Sequence, residues 1–170
     1  MRTVLWLAAL LILSACGQQG QSAETAPAQQ EIIKAEPVRV LLSTKDEFEN
    51  IMDNIKDAIA DRGIKINNIS HIGHMLTRTA ADVGGTKVVY KDAEAVEFCS
   101  STVSRATMEA DPHNISYCPY IIAVYVITEQ PDTVYVSFRK PPLVGNQASR
   151  DALKIVGDLL QGIVNDALEQ

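Results

Sequence analysis

The segment Pro119-Tyr120-Ile121-Ile122-Ala123-Val124-Tyr125-Val126-Ile127 constrains the fold most. It carries no charge, it is apolar in both alternating phases, and β-branched residues dominate it. A run of this kind suits a strand covered on both faces or lying at an interface, and so belongs near the centre of a sheet. Gln130-Pro131-Asp132 makes a turn into Val134-Tyr135-Val136-Ser137-Phe138-Arg139. The strict alternation there describes a neighbouring strand with one wetter face, and Pro141-Pro142 ends it.

The remaining elements follow from periodicity. Pro37 to Ser43 reads as a strand. Thr44-Lys45-Asp46-Glu47 fits a capping box, in which the Thr hydroxyl and Glu carboxylate each take a free backbone donor at a helix start. Phe48, Ile51, Met52, Ile55 and Ile59 then share one helical face, with Gly63 as the left-handed stop. Ile64 to Asn67 is a second strand, and Ile72, Met75, Leu76, Thr79 and Val83 form a short helical stripe closed by Gly84-Gly85. Thr86 to Tyr90 and Ala95 to Cys99 are strand-like, either as two strands or as parts of one bent strand. Ser101 to Ala110 is a short helix that Pro112 terminates. A long amphipathic helix from about Gln147 to Leu168 buries Leu153, Val156, Leu160, Ile163 and Val164. Strand pairs separated from end helices predict one α+β domain over residues 37–170, with helices on one face of a largely antiparallel sheet.

The amino terminus predicts an address. Met1-Arg2-Thr3 precedes an apolar run from Val4 to Leu13, which has signal-peptide length and falls short of the ~20 apolar residues that cross a bilayer. Leu13-Ser14-Ala15-Cys16 resembles the bacterial lipobox, which implies a signal peptide over residues 1–15 and a lipid on Cys16. Gly17 rather than Asp after that cysteine points to the outer membrane, with the domain facing the periplasm. Residues 16–36 are rich in Gln, Ala, Ser and Glu. They read as a flexible tether with a reach of roughly 25 Å.

Lys and Arg number 15 against 21 Asp and Glu, a net charge of −6. That balance argues against nucleic acid as a partner. With Cys16 assigned to lipid, Cys99 and Cys118 remain as an even pair in an exported setting. The spacing leaves three states open: a disulfide, two buried thiols, or a redox or metal site. Two Asn-x-Ser sequons, at Asn68 and Asn114, are read as chance in a bacterial lipoprotein.

Val96-Glu97-Phe98-Cys99-Ser100, a short helix ending Glu109-Ala110-Asp111-Pro112, and Tyr117-Cys118-Pro119 opening the apolar strand together resemble the domain-of-unknown-function family numbered 302. The resemblance runs from about Val38 to Leu168. One step departs from the commoner pattern, since Cys118 precedes Pro119 here where the family places proline before cysteine. The resemblance implies a TATA-binding-protein-like curved sheet gripped by helices, often as a homodimer. It implies no established activity.

Four other groups are candidates for chemistry. His71 and His74 form a His-x-x-His step that His113 or Cys118 would have to complete as a metal site, and surface histidines have the same pattern. Glu97, Glu109 and Asp111 read as solvated acids. Tyr117 and Tyr135 accompany Tyr120 and Tyr125 around the central strands, and Tyr120, Tyr125 and His71 form a candidate ligand pocket. With no triad, phosphate loop or full metal signature, the sequence points to a noncatalytic binding or accessory domain with no predicted cofactor, whose small-molecule or protein partner it does not name. The alternatives are a thiol- or metal-dependent enzyme using Cys99 with His71 or His113, and a scaffold subunit recruited through the exposed side of the C-terminal helix.

Overall fold

The computed structural model describes Val38 to Glu169. The signal peptide, the lipidation site Cys16 and the whole tether to residue 36 lie outside the described residues. Five strands, β1 (Arg39–Thr44), β2 (Ile66–Ser70), β3 (Tyr90–Phe98), β4 (Tyr120–Ile127) and β5 (Val134–Arg139), form one sheet in the order β1-β5-β4-β3-β2. Every neighbouring pair is antiparallel. The apolar run is thus the central strand, as its composition requires. Helices α1 (Phe48–Ala60) and α4 (Gln147–Leu168) pack on one face of the sheet; α2 (Ile72–Thr79) and α3 (Ser101–Ala110) join the strands.

The core lies between that face and the two long helices. From the sheet come Val96, Phe98, Ile122, Val124, Val136 and Phe138; α1 adds Ile51, Ile55 and Ile59, and α4 adds Val156, Leu160 and Ile163. At ~25 cal/mol for each Å² removed from water, burying a side chain of this size stabilises the fold by roughly 1.5–3 kcal/mol.

Helix α3 has the predicted limits, and α4 likewise runs from Gln147 to Leu168. Each has a side-chain cap. Ser100 Oγ accepts from the Val103 N–H at 3.3 Å, and Asn146 Oδ1 accepts from the Ser149 N–H at 2.9 Å. Gly63 sits at φ 67° and Gly84 at φ 68°, the left-handed stops their positions require.

Several local expectations are corrected. Thr44 remains in β1 and Glu47 makes no side-chain cap, so the capping box does not form; instead Asp46 Oδ1 accepts from the Glu47 N–H at 2.7 Å and from Asn50 Nδ2 at 2.9 Å. The second strand starts two residues later than expected, at Ile66. Residues 86–89 precede β3 without pairing as a strand; β3 is continuous from Tyr90, with its irregularity between Tyr90 and Asp92. The stripe on α2 buries nothing, and Met75 and Leu76 are each 41% exposed. Pro112 ends α3 and also opens a 3-10 turn, Pro112–Tyr117, capped by Asp111 Oδ1 accepting from the His113 N–H at 2.9 Å.

Candidate functional site

Alternation along β4 separates the two halves of the molecule. Tyr120, Ile122, Val124 and Val126 are buried under the helices, while Ile121, Ala123, Tyr125 and Ile127 point to the other face and stay half-buried. Helices α1 and α4 pack on the first face; on the second, β4 stays half-buried, while Ala93 and Ala95 of β3, against which α2 packs, are buried. Cross-strand register orders the open face into rows about 7 Å apart along the strands. One row is Ala93, Tyr125, Tyr135 and Ser43; the next is Ala95, Ala123, Ser137 and Leu41. Beyond it Glu97 faces Ile121, and Arg139 faces Arg39.

The first row is aromatic. Tyr125 and Tyr135 stack with ring centroids 5.4 Å apart, and Tyr90 meets Tyr125 edge-on at 5.5 Å. Burial raises the Tyr125 pKa above the usual phenol value and the Tyr90 ring adds to the rise; the Arg39 charge opposes it. The second row is a floor of small side chains with Leu41, 46% exposed, at its edge. Where β2 stops, α2 takes over the edge of β3. Gly73 permits this approach, since a Cβ there would sit 3.1 Å from the Ala93 nitrogen.

The three residues of the candidate pocket do not come together. Tyr120 is 4% exposed and faces the helices, with its hydroxyl accepting from Ser104 Oγ at 3.1 Å. Burial raises its pKa, while Ser104 and Thr107 lower it. Tyr125, five residues on, faces the opposite side, because side chains an odd number of positions apart on a strand point apart. His71 precedes α2 at the sheet edge, mostly exposed, with Nδ1 2.6 Å from Glu94 Oε1. Among the described residues no three His, Cys, Asp or Glu side chains converge as metal ligands, so His71, His74 and His113 do not form a site between them. Glu97 accepts from Ser70 Oγ at 2.6 Å, and Glu109 pairs with Arg105 at 3.0 Å.

Cys99 and Cys118 do come together. Cys99 follows β3 and Cys118 precedes β4, which are paired neighbours, so the two sulfurs lie at disulfide distance with Cα atoms 6.5 Å apart. The Cys118-Pro119 order does not separate them. Both residues are half-buried, and Ser104 Oγ is 3.5 Å from Cys118 Sγ.

One polar cluster was not visible in the sequence. Asn114, part of a chance sequon on sequence grounds, is 3% exposed; its Nδ2 donates to the Thr107 carbonyl at 2.9 Å and to Ser149 Oγ at 3.0 Å, tying the 3-10 turn to α3 and α4. A buried amide saturated in this way is structural.

With the geometry in hand, comparison with known proteins gives a family. The model for "Domain of unknown function DUF302" matches residues 40–170. The chain belongs to the DUF302 family. A crystal structure of an uncharacterized conserved DUF302 protein from Bacillus stearothermophilus shares the fold, at 12% identity and a TM-score of 0.64, covering 78% of this chain and 99% of that one. At that identity the likeness concerns the α+β fold alone. No curated protein matches.

Proposed function

We propose that this DUF302 chain is a lipoprotein of the bacterial envelope, held by a lipid on Cys16 at the outer membrane and facing the periplasm, and that its domain is a noncatalytic binding or accessory module working through the open face of the sheet. The observation that carries the reading is β4, whose outward residues Ile121, Ala123, Tyr125 and Ile127 are apolar yet only half-buried, against the full burial of the residues on its helix-covered side. Apolar surface of this kind, rimmed by charge, marks interaction sites. The outer side of α4 presents Asp151, Lys154, Asp158 and Asp166 with Ile155 as its large exposed apolar residue, which makes it a weaker docking surface than the sheet.

Two experiments test the reading. Wild-type chain labelled with palmitate in cells should carry the label and fractionate with outer membrane, and Cys16→Ala should lose both. The core lies wholly between Ile51 and Ala167, and a whole solved chain has this fold, so a form of residues 34–170 serves for solution work. A photo-crosslinking side chain at Ser137 should give a discrete adduct in cells while one at Lys154 gives none; equal labelling from both positions refutes the open-face reading.

A second copy of the chain is the second reading, favoured by one arrangement. Glu97 on β3 and Arg139 on β5 flank Ile121 of β4 on opposite sides, so a two-fold axis along β4 would set each Glu97 against the other copy's Arg139. Sedimentation should then show a dimer weakened by Glu97→Arg and restored by Glu97→Arg with Arg139→Glu.

A further inference from the structure

The segment between β2 and β3 is built unlike the rest of the domain. Helix α2, the 3-10 turn Ala81–Val83 and the chain on to Val89 bury no residue, and every residue from Ala81 to Val89 is exposed. Of the nine large apolar side chains exposed among the described residues, five lie here: Met75, Leu76, Val83, Val88 and Val89, with Val83 at 76% and Val88 at 61%. Apolar residues scattered singly over a surface are ordinary, whereas five gathered in one short segment form a patch of the kind that marks an interaction site.

The patch is also held in shape. The Gly85 N–H donates to the Ala80 carbonyl at 2.7 Å and the Thr128 N–H to the Val89 carbonyl at 3.1 Å, which fixes both ends of the loop after α2. Leu76 on α2 and Val88 and Val89 on the returning chain line one cleft of about 120 Å³, and Tyr90 lines it with them. Tyr90 meets Tyr125 edge-on and Tyr125 stacks on Tyr135, so the aliphatic tip passes into an aromatic row where the segment joins the sheet. The charges around it balance: Arg78, Lys87 and Lys91 stand against Asp82, Asp92 and Glu129, with Lys87 and Glu129 paired at 2.6 Å.

From this aliphatic tip backed by tyrosines we infer that the segment from Met75 to Val89 inserts into the surface of a phospholipid bilayer. Apolar side chains on a short amphipathic helix and its loop enter the boundary between headgroups and acyl chains, and tyrosine suits the headgroup level because it joins an apolar ring to a polar tip. The choice of a bilayer as occupant rests on the Cys16 anchor proposed above. Val38, where the tether reaches the domain, lies beside Lys140 at the Arg139 end of β5, while Tyr90 and the patch lie at the Ile127 end of β4, three strands from β1. Strand spacings put the two about 25 Å apart. The tether's reach of roughly 25 Å spans that distance, so the segment can touch the leaflet that holds the lipid.

The test uses the form of residues 34–170, which lacks the chain's single tryptophan, Trp6. Val88→Trp, and Ile155→Trp on the outer side of α4 as its comparison, then place one indole at an exposed position in each protein. With phosphatidylcholine vesicles in large excess, the Val88→Trp emission should shift to the blue and be quenched by brominated acyl chains, while the Ile155→Trp emission stays as in buffer. Co-sedimentation with the same vesicles should weaken roughly tenfold or more in Val83→Asp with Val88→Asp. Because the flanking charges balance, replacing part of the lipid with phosphatidylglycerol should change the affinity by less than about threefold. Both aspartate positions are exposed, so that variant should melt within about 2 °C of wild type. A larger fall assigns the valines to packing and overturns the proposal. An unshifted Val88→Trp emission, equal shifts at both positions, full binding by the aspartate variant, or binding confined to phosphatidylglycerol vesicles and abolished by salt also overturns it. So does a dimer that the aspartate variant dissociates while vesicles stay unbound, since the patch then serves a second copy. The anchor and the insertion fail separately. A palmitate label on Cys16 with an unshifted Val88→Trp emission in the lipidated full-length chain refutes insertion alone, and absence of the label with the shift retained in the 34–170 form refutes the anchor alone.

Discussion

Reduction of the Cys99–Cys118 pair offers a quantitative test of the core geometry. The two residues are separated by 19 positions and would close a loop around α3 and the 3-10 turn, between the end of β3 and the start of β4. Cross-linking a loop of about twenty residues removes denatured-state entropy corresponding to ~3 kcal/mol at 25 °C. For a domain of about 130 residues, unfolding entropy near ~2.1 cal/mol/K per residue converts that loss to a melting-temperature drop of about 10 °C. The assay is thermal unfolding of the oxidised protein, the same protein in reductant, and Cys99→Ala with Cys118→Ala, alongside intact-mass measurement of the unreduced sample. The reduced protein and the double variant should fall together by about the same amount, because Ser100 still caps α3 and the core residues are untouched. Equal melting of oxidised and reduced protein, or two thiols labelled in the unreduced sample, would refute a bond at this position.

Two further outcomes follow from the buried polar groups. Asn114→Ala removes both donations from Nδ2 and leaves the buried Ser149 hydroxyl without its partner, so denaturant unfolding should show a loss of about 2 kcal/mol. Tyr120 and Tyr125 should titrate above an exposed phenol in an alkaline spectrophotometric titration, because burial disfavours the phenolate in each. Their native pKa values lie above those of the unfolded chain, so the stability they contribute is complete below about pH 10 and is lost as pH rises through the native values. Tyr125→Phe should flatten that alkaline decline, and an unchanged slope would contradict the assignment.

Much of the architecture was legible before any coordinates. The apolar run from Tyr120 to Ile127 and the alternation from Val134 to Arg139 identified two adjacent strands, and the stripes led by Ile51 and Leu153 identified the helices that cover them. These signals are local, because burial on one side of a regular element imposes its own period on the sequence. The Thr44–Glu47 motif misled for the opposite reason: a strand pairing with β5 held Thr44, and tertiary contact outweighed the capping preference.

The candidate site was less legible. Parity along β4 already implied that Tyr120 and Tyr125 face apart, yet periodicity does not say which phase the helices take or whether the other phase is covered. The opposition of Arg39 to Arg139 depends on β1 pairing with β5 across nearly the whole domain, a register that no short-range pattern encodes. The same holds for Asn114, whose burial is settled by α3 and α4 closing over it. The sequence alone determined the two central strands and the long helices with their buried sides, and set Cys99 and Cys118 as a candidate pair. Tertiary structure alone decided that the pair meets, that one face of the central strand stays only half-buried, and that Arg39 and Arg139 stand side by side at its end, because each depends on strands far apart in the chain being brought together.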